Sequence, residues 1–460
     1  MRPLHACSSE ALLATILRDV PRRYRLPELP AIDECTADPQ NGANRLAFII
    51  EHARRAGAAG REPDARLKQQ FLHELDALVR SAVHAQEGDP VVQAMILRQQ
   101  SEAVREYVGL MTQQPQDVRR VSNVVNGVAH PAKLERLPAS ELRKQLAQLQ
   151  AHVAAARWDD AARVLQALSN AGGMNRTVVS GLARLREEGT LQRLQRLEAL
   201  RRNDDVRQYQ ALLDRQGPPA NSHEAAQNGA AGRERGMSVE GLSRASLQAL
   251  ADRLNEAEGN DTAYRVVTSM YVPAALAANQ EGGKTEWDAV LLRQAADDTW
   301  DIRVLVEAKA SPDSVATDFP RLLRGLGMLA RADSAQTYTF KAREGSFTLR
   351  GSTLRALPTD VEAAAATVLY SSDAPAEASP RLLSAAARMQ LLSSPEVLAH
   401  AIAIAEGRPA RMQRLESVWQ QLLHAPRWRP LLNQYHTISQ ARALMVHVDD
   451  LKAAATAATA

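Results

Sequence analysis

Apolar residues recur at helical spacing through most of the first 215 residues. Leu142, Leu146, Leu149 and Val153 are four, three and four apart, which lines one face of a helix. Trp158, Ala161, Ala162, Leu165 and Leu168 make a second stripe, ended by Ala171-Gly172-Gly173, and Leu191, Leu194, Leu197 and Leu200 make a third. The heptads are too short for a sustained coiled coil, and no fixed repeat period runs along the chain. Residues 1–215 are therefore expected to form a helical domain.

The pattern stops at Gln216. From there to Gly236 the chain is rich in Gly, Pro, Asn and Ala with no periodic apolar position, so 216–237 is expected to be a linker. Beyond it the period changes. Ser246 is placed to cap a helix carrying Leu247, Leu250 and Leu254, closed by Gly259. Tyr264–Val272, Thr285–Arg293 and Trp300–Ala308 are rich in β-branched and aromatic residues and predict three strands, the last two joined as a hairpin by residues 295–299. A helix is expected over Thr317–Ala332, and further strands over Gln336–Lys341 and Ser346–Leu354. Gly325 and Gly327 sit inside that helical stripe, where they predict close helix–sheet packing. Past Pro375 helical stripes return over Pro380–Gly407 and Met412–Ala425, and Ala453–Ala460 is expected to fray. The fold expected is mainly α with one α/β module: a helical domain (1–215), a linker (216–237), the module (238–374) and a helical C-terminal region (375–460).

Composition narrows the class. The chain is 45% hydrophobic, enough for real cores, and only 4% aromatic. Its two cysteines, Cys7 and Cys35, cannot build a disulfide framework or a cysteine-rich zinc site, so a reducing compartment is expected. No apolar run reaches the roughly 18 residues of a membrane helix, and no secretion signal is recognisable. The expected location is the cytoplasm, and delivery into another cell is compatible with the same sequence. Seven lysines stand among many arginines. Lysine is a compact charge whose pKa shifts on burial, and arginine cannot replace it in that role, which draws attention to Lys309.

The candidate chemistry lies in the predicted hairpin. Along a strand, Glu286, Asp288, Val290 and Leu292 share one face, and Arg303, Leu305, Glu307 and Lys309 share one face of the next. Asp288 is near the start of one strand and Glu307 near the end of its antiparallel partner, so the two carboxylates are expected side by side. Two such acids can hold a hard cation, which activates water for phosphodiester hydrolysis. A lysine two residues on can orient the nucleophile or neutralise the transition state.

Asp288, followed after eighteen residues by Glu307-Ala308-Lys309, resembles the PD-(D/E)XK nuclease family, as does the order helix, three strands, helix, strand. The proline that names the motif is absent, since Trp287 precedes Asp288. The resemblance spans about residues 238–372 and implies an αβββαβ core with a mixed sheet. It implies Mg²⁺ or Mn²⁺ held by Asp288, Glu307 and the Ala308 carbonyl, with Lys309 catalytic. An added acid on the first helix falls to Glu256 or Glu258, and nucleic-acid contacts on the following helix fall to Arg321 and Arg324.

Other chemistries find less support. The eleven histidines show no zinc-binding spacing, and neither a Walker A loop nor a G-x-S-x-G elbow occurs. Net charge is +3 overall, yet residues 238–375 hold fourteen Arg and Lys against nineteen Asp and Glu, a net of −5. Phosphate binding favours basic surface, so either bound metal offsets these acids or the helical flanks, carrying the remaining +8, supply the clamp on DNA; the flanks are also where a protein partner is expected. The expected function is a metal-dependent nuclease acting on DNA. The alternative is a scaffold or effector protein carrying an inactive nuclease-like module.

Overall fold

Among the described residues the chain forms seven strands: β1 (Tyr264–Tyr271), β2 (Glu286–Gln294), β3 (Trp300–Ala308), β4 (Thr337–Ala342), β5 (Gly345–Arg350), β6 (Val368–Ser372) and β7 (Met445–His447). They belong to a computed structural model that describes residues 8–31, 42–170, 176–187, 189–217, 222–277, 282–295 and 298–457. β1, β2 and β3 form an antiparallel meander, and β4 and β5 an antiparallel hairpin. β6 runs parallel to β3, and β7 parallel to β6. Single bridges, Tyr271 to Lys341 and Trp300 to Leu349, close β1, β2, β3, β5 and β4 into a small barrel. A parallel pair needs a crossover, and here it contains the helix Val315–Leu329 and the β4–β5 hairpin.

Successive strand residues enter two different cores, as the pleat requires. Val290, Leu292 and Leu305 pack with Phe319, Leu322, Leu326 and Leu329 of the crossover helix. Ala289, Leu291, Val304 and Val306 pack with Leu247, Leu250 and Leu254 of the long helix His223–Glu258. Two further helices complete that second layer, Ser9–Asp19 through Leu13, Ile16 and Leu17, and Val448–Ala457 through Leu451 and Ala455.

The chain folds as two compact units, one of residues 1–78, 220–397 and 411–460 and the other of 79–219 and 398–410. This departs from the expected order of domains. The N-terminal segment joins the sheet unit: besides the helix Ser9–Asp19, the Arg22 guanidinium donates to the carbonyls of Leu17, Ala365 and Leu444. An amphipathic stripe states that a helix covers something apolar, and a sheet face serves as well as a bundle.

The C-terminal residues likewise form no separate region. β7 and the helix Val448–Ala457, part of which was expected to fray, complete the sheet unit. Residues 458–460 of that expected tail lie outside the described residues.

The expected linker is mostly helix. Residues 218–221 lie outside the described residues, but His223–Glu258 is one helix of 36 residues, capped by Ser222 and closed by Gly259 at φ +68°. It buries no side chain before Val239. Its Ala, Glu, Gln and Arg content carries the helix through three glycines without an apolar face. Ser246 is accordingly an interior residue, its hydroxyl donating to the carbonyls of Leu242 and Val448.

The other unit is helical, and there the stripes read from sequence pack as expected. Leu146, Leu149, Val153, Trp158, Leu165, Leu168, Leu191 and Leu194 share a core with Val121 and Val125 of the helix Glu102–Ala129. Leu197 and Leu200 join Val104, Tyr107 and Val206 in a second cluster. Arg193 bonds Asp117 through two nitrogens at 2.6 and 2.8 Å. Among the described residues no helix is long and apolar enough to cross a membrane.

Candidate active site

The β2–β3 register pairs Ala289 with Val306 and Val290 with Leu305. Carried one step further, it sets Asp288 opposite Glu307, on the face covered by the crossover helix. Asp288 Oδ2 accepts the Ala308 N–H at 2.8 Å, so this carboxylate lies against the end of β3. Glu307 pairs on its other side with Tyr370 of β6. Lys309 leaves β3 with its N–H donated to the Ser371 carbonyl, and its Nζ donates to Glu307 Oε1 at 2.8 Å. The same Nζ lies 3.5 Å from Asp318 Oδ2 on the crossover helix, and Asp318 accepts the Tyr370 hydroxyl at 3.1 Å. Asp288, Glu307 and Lys309 thus meet at one end of the sheet.

A second lysine completes the group. Lys284 Nζ lies 2.5 Å from the same Glu307 Oε1, with Lys284 only 5% and Glu307 only 3% exposed. Lys284 is held by close backbone contact. Its N–H donates to the Arg321 carbonyl, and a Cβ added at Gly325 would stand 2.9 Å from Lys284 Cβ and 3.1 Å from its carbonyl oxygen. Gly325 thus permits close packing of the helix on the loop before β2 rather than on the sheet expected, and a Cβ at Gly327 would meet nothing within 4 Å.

Burial dominates the electrostatics. It pushes Glu307 up, and the charge on Asp288 adds to this, while Lys284 and Lys309 pull the other way; the result is about 7. Burial also raises Asp288 above the usual carboxylate range, against the pull of Lys284, the Ala308 N–H and Lys309. Burial works to lower Lys309, but Glu307, Asp318 and Asp288 outweigh it and hold the ammonium protonated. Burial and Asp318 hold Tyr370 above its ordinary value.

Two sequence assignments need correction. Glu256 is bound to Arg253, and Glu258 to Arg293 and Ser9. Arg293 is five positions along β2 from Asp288, on the order of 16 Å at about 3.3 Å per residue. Neither acid joins the site. The residue of that helix whose charge reaches Asp288 is Glu240, about 24 Å further towards the N-terminus than Glu256 at 1.5 Å per residue. Starting the helix at Ser246 hid it. Arg324 donates to the Gly282 carbonyl at 2.8 and 3.0 Å, clamping the loop that carries Lys284. Arg321 is exposed on the same helix.

Lys284, Asp318 and Tyr370 were not singled out from the sequence. The scarcity of lysine that drew attention to Lys309 applied equally to Lys284. Ser269 was also unread. The flanking pairs Thr268–Ala289 and Met270–Trp287 set it opposite Asp288, with a left-handed φ of +47°. A non-glycine residue there costs about 1–2 kcal/mol. Both the N–H and the hydroxyl of neighbouring Thr268 donate to Glu344, which ties the hairpin to this bend.

Among the described residues no three His, Cys, Asp or Glu side chains gather as a ready-made cation cage. Glu307 Oε2 is nevertheless buried without a hydrogen-bond partner. A buried carboxylate oxygen with no donor, beside a second carboxylate, fits a hard cation. No protein-family model, no curated protein and no solved structure matches the chain.

Proposed function

We propose that the sheet-bearing unit is a metal-dependent nuclease of the PD-(D/E)XK type, acting on DNA. The observation that carries this reading is the meeting of Asp288, Glu307 and Lys309 at one sheet end, with Glu307 Oε2 unpartnered. The element order supports it: a helix, the β1–β2–β3 meander, a crossover helix, and β6 parallel to β3. In this reading the β4–β5 hairpin is inserted before the parallel strand.

Asp288 and Glu307 would hold Mg²⁺ or Mn²⁺, which supplies an activated water and stabilises charge on the phosphate. Lys309, kept protonated by its acidic neighbours, donates towards the phosphate oxygens as negative charge grows. Asp318, itself fixed by the Tyr370 hydroxyl, holds Lys309 in line. Lys284 favours the charged form of Glu307 against the burial that raises its pKa.

A second reading rests on Lys284. Its ammonium, buried against Glu307, can stand permanently in place of a cation, leaving a scaffold protein with a nuclease-like core. The test is the purified protein with Mg²⁺ or Mn²⁺ on plasmid, linear and single-stranded DNA, beside Lys309→Ala. Metal-dependent cutting that Lys309→Ala abolishes is the result expected. Absence of cutting on every substrate, together with no Mn²⁺ binding by calorimetry, favours the scaffold.

A further inference from the structure

A concavity of about 580 Å³ opens beside the crossover helix, a volume typical of small-molecule pockets. Its floor is apolar, with Leu431 and Ile438 buried among its lining residues. Its polar lining includes three arginines beside Asp313 and neutral groups such as Ser384 and Gln434. Arg381 and Arg429 are exposed at it and make no ion pair among the described residues. Arg442 lines it at 2% exposure, anchored to Glu377 at 2.8 Å and Asp313 at 3.1 Å, while its Nε is buried without a partner.

The helix Ala385–Leu392 begins in the same wall. Ser384 Oγ takes the N–H of Ala387, so the N–H groups of Ala385 and Ala386 remain for an outside acceptor. The charge of Arg442 is met by Asp313 and Glu377, so the uncompensated cations at the pocket are Arg381 and Arg429, together with the positive end of a helix.

We infer that this pocket binds a phosphomonoester whose organic body lies on the apolar floor. A tetrahedral dianion uses several guanidinium groups and helix N–H donors at once, which a single carboxylate does less fully. The inference does not depend on cleavage. Ala316, Thr317 and Pro320 line the pocket, while Asp318 of the same turn meets Lys309, so the ligand would sit beside the candidate site.

The test is calorimetry on the full chain with AMP, adenosine, inorganic phosphate, succinate, and a short oligothymidylate with and without a 5′-phosphate. AMP or the phosphorylated oligomer is expected to bind at least about tenfold more tightly than its unphosphorylated counterpart and than phosphate or succinate. Whichever binds more tightly identifies a free nucleotide or a strand end as the source. The double variant Arg381→Ser/Arg429→Ser, whose exposed side chains leave the fold intact, is expected to lose at least about tenfold of that affinity. Equal binding of AMP and adenosine with no gain from the 5′-phosphate, succinate binding as tightly as AMP, or full affinity in the double variant would overturn the assignment.

Discussion

Glu307→Gln isolates the electrostatic character of the site. In the folded protein the Glu307 carboxyl titrates near 7, against 4.5 when unperturbed. That difference corresponds to about 3 kcal/mol. The sign follows from linkage. A carboxyl whose folded pKa is raised keeps its contribution below the unfolded value and loses it as pH rises through the folded one. Wild-type protein in EDTA should therefore lose about 3 kcal/mol of unfolding free energy between about pH 4.5 and 8, through this group and the Asp288 carboxyl coupled to it. Glutamine fills nearly the same volume and does not ionise, so the variant should lack most of that slope whatever its absolute stability. The assay is urea denaturation at half-unit pH steps, with the pH dependence compared between the two proteins. Parallel profiles would show that Glu307 is not held in the environment described here. Added Mn²⁺ should flatten the wild-type profile alone, because a bound cation favours the charged carboxylate.

Lys284→Met removes one of the two ammonium groups on Glu307 Oε1, so the same titration should move to still higher pH; an unmoved profile would leave Lys284 without influence on the acid. Gly325→Ala places a Cβ 2.9 Å from Lys284 Cβ and should destabilise the protein by about 1–3 kcal/mol, and wild-type stability in denaturation would contradict that tight contact. Lys309→Arg should fail to cleave DNA, like Lys309→Ala, because the guanidinium is broader and differently shaped; cleavage by both variants would remove Lys309 from the mechanism. Brief trypsin treatment should cut at Arg233 and Arg235, where the long helix buries nothing, before Arg244 or Arg253; the reverse order would show that the early turns are the better protected.

Local pattern was enough where neighbours in sequence are neighbours in space. The helical stripes of the second unit, the three strands of the meander and the Gly259 helix stop follow from side-chain period and backbone freedom alone. The convergence of Asp288, Glu307 and Lys309 was legible for the same reason, since a hairpin joins the two strands and the pleat sets their faces. Stretches with weak or ambiguous pattern were misread. The segment His223–Gly236 has no apolar face, so its helix leaves no periodic signal, and losing it displaced the helix start and hid Glu240.

What the sequence by itself determined is the type of each strongly periodic element and the pair of acids facing across one hairpin. Only the tertiary structure decided what each amphipathic face covers. Thus Ser9–Asp19 and Val448–Ala457 complete the sheet unit from the two ends of the chain, because an apolar stripe carries no address for its partner. Contacts across long separations decided the site as well. Lys284 reaches Glu307 through the close approach of Gly325, and Asp318 reaches Lys309 from the crossover helix while accepting the Tyr370 hydroxyl of the parallel strand. Such groups lie many residues apart, and only the packing of the layers brings their charges within bonding distance.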